Sequence, residues 1–208
     1  VIEKRAKSLC KVNPIKYGSI AIDNGFLILN EDEKIDLIKR EPLSEKYIFT
    51  YGGGAEFIKN IKRYCLWLKD LNPNELKLMP TVKQKIDSVR DFRFSSDREA
   101  TKKLAEYPTL FGEDRQPKNN YILIPKVSSE TRQYIPLGFL NKSHIANGSS
   151  MIVENATLFE FGILTSIMHM AWIKYTCGRM KSDYQYSNTI VYNNYPFPKN
   201  VSEKQKKA

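Results

Sequence analysis

Cysteine, histidine and long apolar runs are all scarce in this chain, and each scarcity removes a class of protein. Of 208 residues three are cysteines, Cys10, Cys65 and Cys177. They lie far apart with no Cys-x-x-Cys pair, and only His144 and His169 could supplement them, so no metal site is expected. The odd, sparse set suits a reducing compartment, and the cytoplasm is the expected location. Val1 to Lys11 carries charge throughout, which speaks against a signal peptide. The longest apolar run, Leu158 to Ile173, is shorter than a membrane span and holds Glu160 and His169, so no membrane partner is expected.

The signatures of catalysis are missing as well. Gly52-Gly53-Gly54 lacks both the Gly-x-Gly-x-x-Gly spacing and the lysine of a P-loop, and reads as a flexible turn before a helix, with a backbone contact to phosphate as the lesser alternative. Glu75-Leu76-Lys77 has the Glu-x-Lys order of many Mg²⁺ nucleases, but no second carboxylate stands at a suitable distance, so an ordinary polar turn between Pro73 and Pro80 is expected. Asn13-Pro14 and Asn72-Pro73 lack the second proline and the aromatic residue that an adenine methyltransferase uses to hold a flipped base. No serine or cysteine with a nearby base suggests a nucleophile. His169, inside an apolar helix, reads as a hydrogen-bonded core residue, and His144 as a loop residue. No catalytic residue is therefore expected.

What the chain has is positive charge. Thirty-three basic residues against 23 acidic ones give a formal charge of +10, which favours an anionic partner, nucleic acid before acidic membrane surfaces. The basic residues are spread out, and only Lys199 to Lys207 is clustered. The length suits one domain over 1–198, followed by a basic tail or the start of a further segment at 199–208. An opening without Met in a basic run is the mark of a piece of a larger protein.

The patterning is mixed. Gly25 to Leu29 reads as a strand, and Asn30 with Glu31, Asp32 and Glu33 as the cap and first turn of a helix running to about Arg40. Lys62 to Leu68 alternates like a strand. Pro80 to Tyr107 is helical, with Ser95-Ser96-Asp97 as a break. Tyr121 to Pro125 and Tyr134 to Leu140 read as strands around an exposed polar turn, Val127 to Gln133. Asn147 to Ser150 is another turn and Met151 to Val153 a short strand, after which Asn155 or Thr157 starts one long apolar helix that Gly178 ends. Without regular alternation of strand and helix, the expectation is an α+β fold, with mainly antiparallel sheet and several helices, one of them long and buried near the C-terminus.

The most informative stretch is Cys177 to Pro198. If its polar and aromatic residues run extended, Lys181, Asp183 and Gln185 point to one side and Tyr184 and Tyr186 to the other. A cation, an anion and an amide in a row make either a solvated edge or the three side-chain types that pair with base edges: lysine with guanine, aspartate with cytosine, glutamine with adenine. Exposed tyrosines at 184, 186, 192 and 195 would instead suit a protein-interaction or assembly module without base readout.

This stretch closely resembles the end of the target recognition domain in MmeI-like (Type IIL) restriction–modification enzymes, single chains that combine nuclease, adenine-N6 DNA methyltransferase and recognition parts. Other matching pieces follow in order: Tyr17-Gly18-Ser19, Arg63 to Leu68, Pro108 to Phe111, Arg115-Gln116-Pro117, Ile124 to Glu130, Tyr134 to Leu140 and Thr165 to Trp172. The resemblance covers roughly Pro14 to Pro198. It implies a double-stranded DNA partner and a methyltransferase domain upstream in the same chain. S-adenosylmethionine, and Mg²⁺ where a nuclease is attached, would serve that parent, with no cofactor in this fragment. It implies base readout by Lys181, Asp183 and Gln185, and by Glu130, Arg132, Asn147 and Ser149. Backbone contacts would come from Lys126, Ser128, Lys62, Arg63, Arg115, Lys118 and Arg179, with Arg93, Arg98, Lys102 and Lys103 as further basic candidates. Such contacts give register and salt-sensitive affinity rather than sequence choice.

Overall fold

The computed structural model describes residues 2–199 together with 201, 202 and 204. Of the basic tail expected at 199–208, residues 200, 203 and 205–208 lie outside the described residues. In chain order the strands are β1 (Ile15–Tyr17), β2 (Ile28–Leu29), β3 (Ile48–Gly52), β4 (Tyr64–Leu66), β5 (Tyr121–Pro125), β6 (Val127–Ser128), β7 (Gly138–Leu140), β8 (His144–Ala146), β9 (Ser150–Glu154), β10 (Gly178–Met180) and β11 (Asp183–Gln185). The helices are α1 (Glu31–Arg40), α2 (Gly54–Lys59), α3 (Pro73–Leu76), α4 (Pro80–Phe94), α5 (Glu99–Lys103), α6 (Leu158–Leu164) and α7 (Ile167–Thr176). Short 3-10 turns at Pro42–Tyr47 and Leu104–Glu106 and a wider turn at Asn188–Tyr192 complete the described elements.

Three sheets form, in the orders β1-β9-β5-β7, β10-β11-β6 and β2-β4-β3-β8. All pairings are antiparallel except β3 with β8, so the α+β expectation holds. The first sheet buries Ile122, Ile124, Met151 and Val153 against Met170 and Ile173 of α7. The third buries Leu29, Cys65, Leu66 and Ile145 against Leu37 of α1 and Val82, Ile86 and Val89 of α4. The period of those last three positions is helical, which is why α4 was legible as a helix.

Local chemistry explains where elements stop. Asn30 accepts the Glu33 N–H at 2.9 Å while the Glu33 carboxylate accepts the Asn30 N–H at 2.8 Å, a reciprocal cap worth about 1 kcal/mol. The single helix expected from Thr157 to Cys177 is instead two. Thr165 donates its hydroxyl to the Phe161 carbonyl at 2.8 Å, and the Ser166 hydroxyl accepts the His169 N–H at 3.1 Å, starting α7 afresh. Side chains that bond the local backbone compete with helix continuation, and here two in succession break it. Three strands are shorter than their patterns suggested: Gly25–Leu29 yields Ile28–Leu29, Lys62–Leu68 yields Tyr64–Leu66, and Tyr134–Leu140 yields Gly138–Leu140.

Arg93 ties the layers together. It is fully buried on the inner face of α4 and uses all five donors on carbonyls: Ala21, Ile22, Leu104, Tyr107 and Leu110, at 2.8 to 3.0 Å. The expectation that it meets phosphate is therefore overturned. Ile22, one of its acceptors, sits at φ 51°, a strained conformation for a β-branched residue that this bond holds in place.

Candidate nucleic-acid interface

The informative C-terminal stretch forms a hairpin. β10 and β11 pair as Gly178 with Gln185, Arg179 with Tyr184 and Met180 with Asp183, leaving Lys181 and Ser182 as the turn. Residues directly opposite in an antiparallel pair share a face, so Asp183, Gln185, Gly178 and Met180 point one way. Tyr184 points the other way and is buried, with the Arg179 guanidinium 4.0 Å from its ring centroid and donating to the Ser182 carbonyl at 3.0 Å. The expected alternation thus holds for Asp183 and Gln185 but not for Lys181, which stands on the turn at φ 57°.

Tyr184, Tyr186, Tyr192 and Tyr195 are all buried, so they offer no exposed aromatic surface to a partner protein. Two of them pack against His169, whose Nε2 lies 3.0 Å from the Tyr186 hydroxyl and whose ring meets Tyr195 edge-on at 4.5 Å. Burial pushes this imidazole down to about 4. It is the core histidine that the sequence suggested.

β11 also pairs with β6, matching Tyr184 with Ser128 and Gln185 with Val127. Just beyond, the Asp183 carboxylate accepts the Glu130 N–H at 3.3 Å, and the Lys126 carbonyl accepts the Tyr186 N–H at 2.8 Å. Two stretches more than 50 residues apart in sequence, 126–132 and 181–185, are thereby stitched into one strip. Lys181, Glu130 and Arg132 are exposed, Asp183 and Gln185 half-buried. Among the described residues none of Lys181, Asp183, Glu130 and Arg132 forms an ion pair, whereas many surface charges elsewhere do. These four are free to meet a ligand.

The strip continues into the loop between β8 and β9. The Ser149 carbonyl accepts the Lys126 N–H at 3.1 Å, and Ser149 donates its N–H and hydroxyl to the Asn147 Oδ1 at 2.9 and 2.5 Å. Asn147 thus spends its carbonyl on its own turn, while Ser149 is exposed. A Cβ on Gly53 would lie 2.1 Å from Asn147 Oδ1 and 2.3 Å from Ser149 Oγ, and one on Gly18 would lie 2.2 Å from the Asn147 carbonyl oxygen. Glycine is what lets the loop close at both places, so Gly53 serves packing.

Several basic candidates prove committed. Arg63 bonds the Glu56 carboxylate at 2.9 Å, and the same carboxylate accepts the Gly53 N–H at 2.9 Å. Burial pushes the Glu56 carboxyl up, but those two donors outweigh it and leave it below its usual range. Arg115 pairs with Glu113 and donates to the Gly18 carbonyl at 3.4 Å. These side chains position Gly53, Gly18 and hence Asn147. Ser128 is buried with its hydroxyl unpartnered, which does not fit a surface contact with phosphate. Lys118 precedes β5 at the end where Tyr121 pairs with Glu154, about 13 Å or more along the strand from the Pro125 end that carries the strip. Lys62 is exposed beside Glu31. Glu75 accepts the Tyr47 hydroxyl at 2.8 Å and pairs with Lys46, a structural role. Among the described residues no group of His, Cys, Asp and Glu could hold a metal. Met180, half-exposed on the face of Asp183 and Gln185, was missed; carrying the alternation back across the turn would have found it.

An α+β domain whose open strip carries charges of both signs, none of them in an ion pair among the described residues, presents the surface of a binding module. A family model described as the MmeI target recognition domain matches residues 1–199, and the chain belongs to that family. A relative, DNA methyltransferase A of Bacillus subtilis (strain 168), is 33% identical over 198 residues, covering 95% of this chain and 22% of its own length. A structure of the Type IIL restriction-modification enzyme MmeI in complex with DNA superposes with a TM-score of 0.95 at 38% identity, covering all of this chain and 28% of that one. The chain thus spans about a quarter of the length of the relatives it matches.

Proposed function

We propose that this domain reads a short site in double-stranded DNA through the major groove, and that it belongs to a longer cytoplasmic protein that methylates adenine N6. The observation that carries this reading is the convergence of Lys181, Asp183, Gln185, Glu130 and Arg132 from two distant chain segments, with none of the four charged ones in an ion pair among the described residues. The likeness to MmeI bound to DNA supports the partner, and the likeness to a DNA methyltransferase supports the parent chemistry. The methyl donor, S-adenosylmethionine, would be held outside these residues, as would Mg²⁺ where a nuclease is attached. Steric access to a base inside a duplex requires flipping, which leaves the recognition domain to fix register and orientation.

In this reading Lys181 donates to a guanine while Asp183 accepts from its paired cytosine, so that one G·C pair is read from both bases. Gln185 suits adenine, and Arg132 with Glu130 extends readout from the neighbouring loop. Ser149 and Lys126 contribute at the far end of the strip. The test is a double substitution, Lys181→Glu with Asp183→Arg, followed by selection of bound sites from a random library. Reversal of the preferred orientation of one G·C pair is expected; an unchanged site preference removes the assignment. Salt separates DNA binding from any protein-interaction role, since six to ten phosphate contacts imply a loss of roughly 10³- to 10⁵-fold between 50 and 200 mM salt.

A further inference from the structure

Helix α7 is apolar around most of its circumference, with Lys174 its one exposed charge, yet it lies at the surface. His169, Met170 and Ile173 face the core, while Met168, Ala171, Trp172 and Tyr175, spaced i, i+3, i+4 and i+7, line a groove with Ile2 and Pro196, Trp172 anchoring its inner side through an indole N–H donated to the Val191 carbonyl at 3.0 Å. Tyr175 is 92% exposed, and Met168 and Ile167 are each 71% exposed. A helix that is apolar all round belongs in an interior, and an uncovered stripe of this kind marks an interaction surface. From Ile167 to Cys177 the one charged side chain is Lys174, His169 being buried and held neutral, so the helix itself offers apolar rather than ionic contact.

Resting on the recognition role above, we infer that this face of α7 docks against an apolar surface, with a carboxylate opposite Lys174, in the remainder of the longer polypeptide. Three observations favour that occupant over a second copy. The matched relatives carry about three quarters of their length outside the region this chain covers, so ample polypeptide is present to supply the surface. Each copy carries a formal charge of +10, which opposes pairing of two identical modules. Finally, α7 runs straight through Cys177 into β10, so whatever clamps α7 also fixes the hairpin bearing Lys181 and Asp183. A reader coupled to chemistry at a fixed base must be held to better than the rise of one base pair, about 3.4 Å. Close-packed apolar contact supplies that rigidity where a wet, polar hinge would not.

The full-length protein carrying a photo-cross-linking phenylalanine analogue in place of Tyr175 tests the proposal. Expected are intramolecular cross-links to peptides outside these 208 residues. Cross-links between two protein molecules would identify a second copy as the occupant, and their absence with full solvent quenching would show an uncovered face; either result overturns the inference. In a companion experiment, Met168→Glu with Tyr175→Glu in the full-length protein should keep site-specific DNA binding within about threefold while methylation of the bound site falls at least tenfold. Undiminished methylation would count against docking. Failure of the unaltered protein to prefer any DNA site would instead sink the recognition reading, independently of the cross-links.

Discussion

Lys181 is the position where stability and function should pull in opposite directions. Its φ of 57° places a long, non-glycine residue in the left-handed region, at a cost of about 1 kcal/mol. Asparagine tolerates that region far better, because its short side chain bonds locally. Lys181→Asn should therefore raise unfolding stability by about 0.5–1 kcal/mol, read as a higher urea midpoint at unchanged slope. The lysine makes no ion pair among the described residues, so nothing within the fold is lost. If it reads guanine, specific affinity falls by about 1–3 kcal/mol, or about 5- to 150-fold, while binding to unrelated sequences holds. If it touches only phosphate, affinity falls alike for all sequences and the salt slope drops by about 0.9. Fluorescence anisotropy titrations of preferred and scrambled duplexes at several salt concentrations separate these outcomes. A more stable variant that binds its preferred site as tightly as the parent would refute the base contact altogether.

Two further predictions concern the scaffold. Arg93→Met removes five hydrogen bonds; the Ala21, Leu104 and Tyr107 carbonyls keep a backbone N–H, but those of Ile22 and Leu110 lose their donor among the described residues, so at about 1 kcal/mol per bond a loss of about 5 kcal/mol is expected, comparable with the whole stability of a domain; a urea midpoint close to that of the parent would contradict this. His169 titrates near 4 when folded against 6.5 when free. Stability from this residue is complete above the unfolded value and falls as pH drops from 6.5 towards 4, by roughly 3 kcal/mol, because only the unfolded chain takes the proton in that window. His169→Gln should flatten that acid limb, and an unchanged pH profile of the urea midpoint would exclude His169 as its source.

Legibility followed the range of the causes. Helix α1 was readable to the residue because its reciprocal cap and its charges at each end are local, and β5 because five consecutive buried residues leave no other solution. The break between α6 and α7 was hidden because Thr165 and Ser166 are tolerable inside a helix and reveal themselves only by the carbonyl and N–H they choose. Arg93 looked like any surface cation, since its burial depends on loops 21–22 and 104–110 arriving from elsewhere. The same holds for the interface. Spacing placed Asp183 and Gln185 on one face, as the hairpin has them, but did not reveal that Lys181 falls on the turn, and the approach of Asp183 to Glu130 rests on the pairing of β11 with β6, two residues long and invisible in either segment alone.

The carboxylates of the strip then invite an argument about specificity. Under the proposed DNA-reading role, a module with ten excess positive charges would gain nothing in general DNA affinity from Asp183 and Glu130, which would face a polyanion. In that role their presence makes sense as discrimination: Asp183 would repel the duplex unless a cytosine amino group stood where the carboxylate could accept from it. Among the described residues its side chain's one hydrogen bond is the 3.3 Å contact to the exposed Glu130 N–H, which water replaces cheaply. Asp183→Ala should therefore leave stability within about 0.5 kcal/mol of the parent. It should tighten binding to unrelated DNA by a few-fold, the return of about 0.5–1 kcal/mol of repulsion, and weaken binding to the preferred site by about 1–3 kcal/mol. The ratio of the two affinities then shrinks by about 10- to 1000-fold, mostly at one base pair. Equal losses on preferred and unrelated duplexes would show that Asp183 merely shapes the loop, and an unaltered ratio would move readout of that pair to another residue.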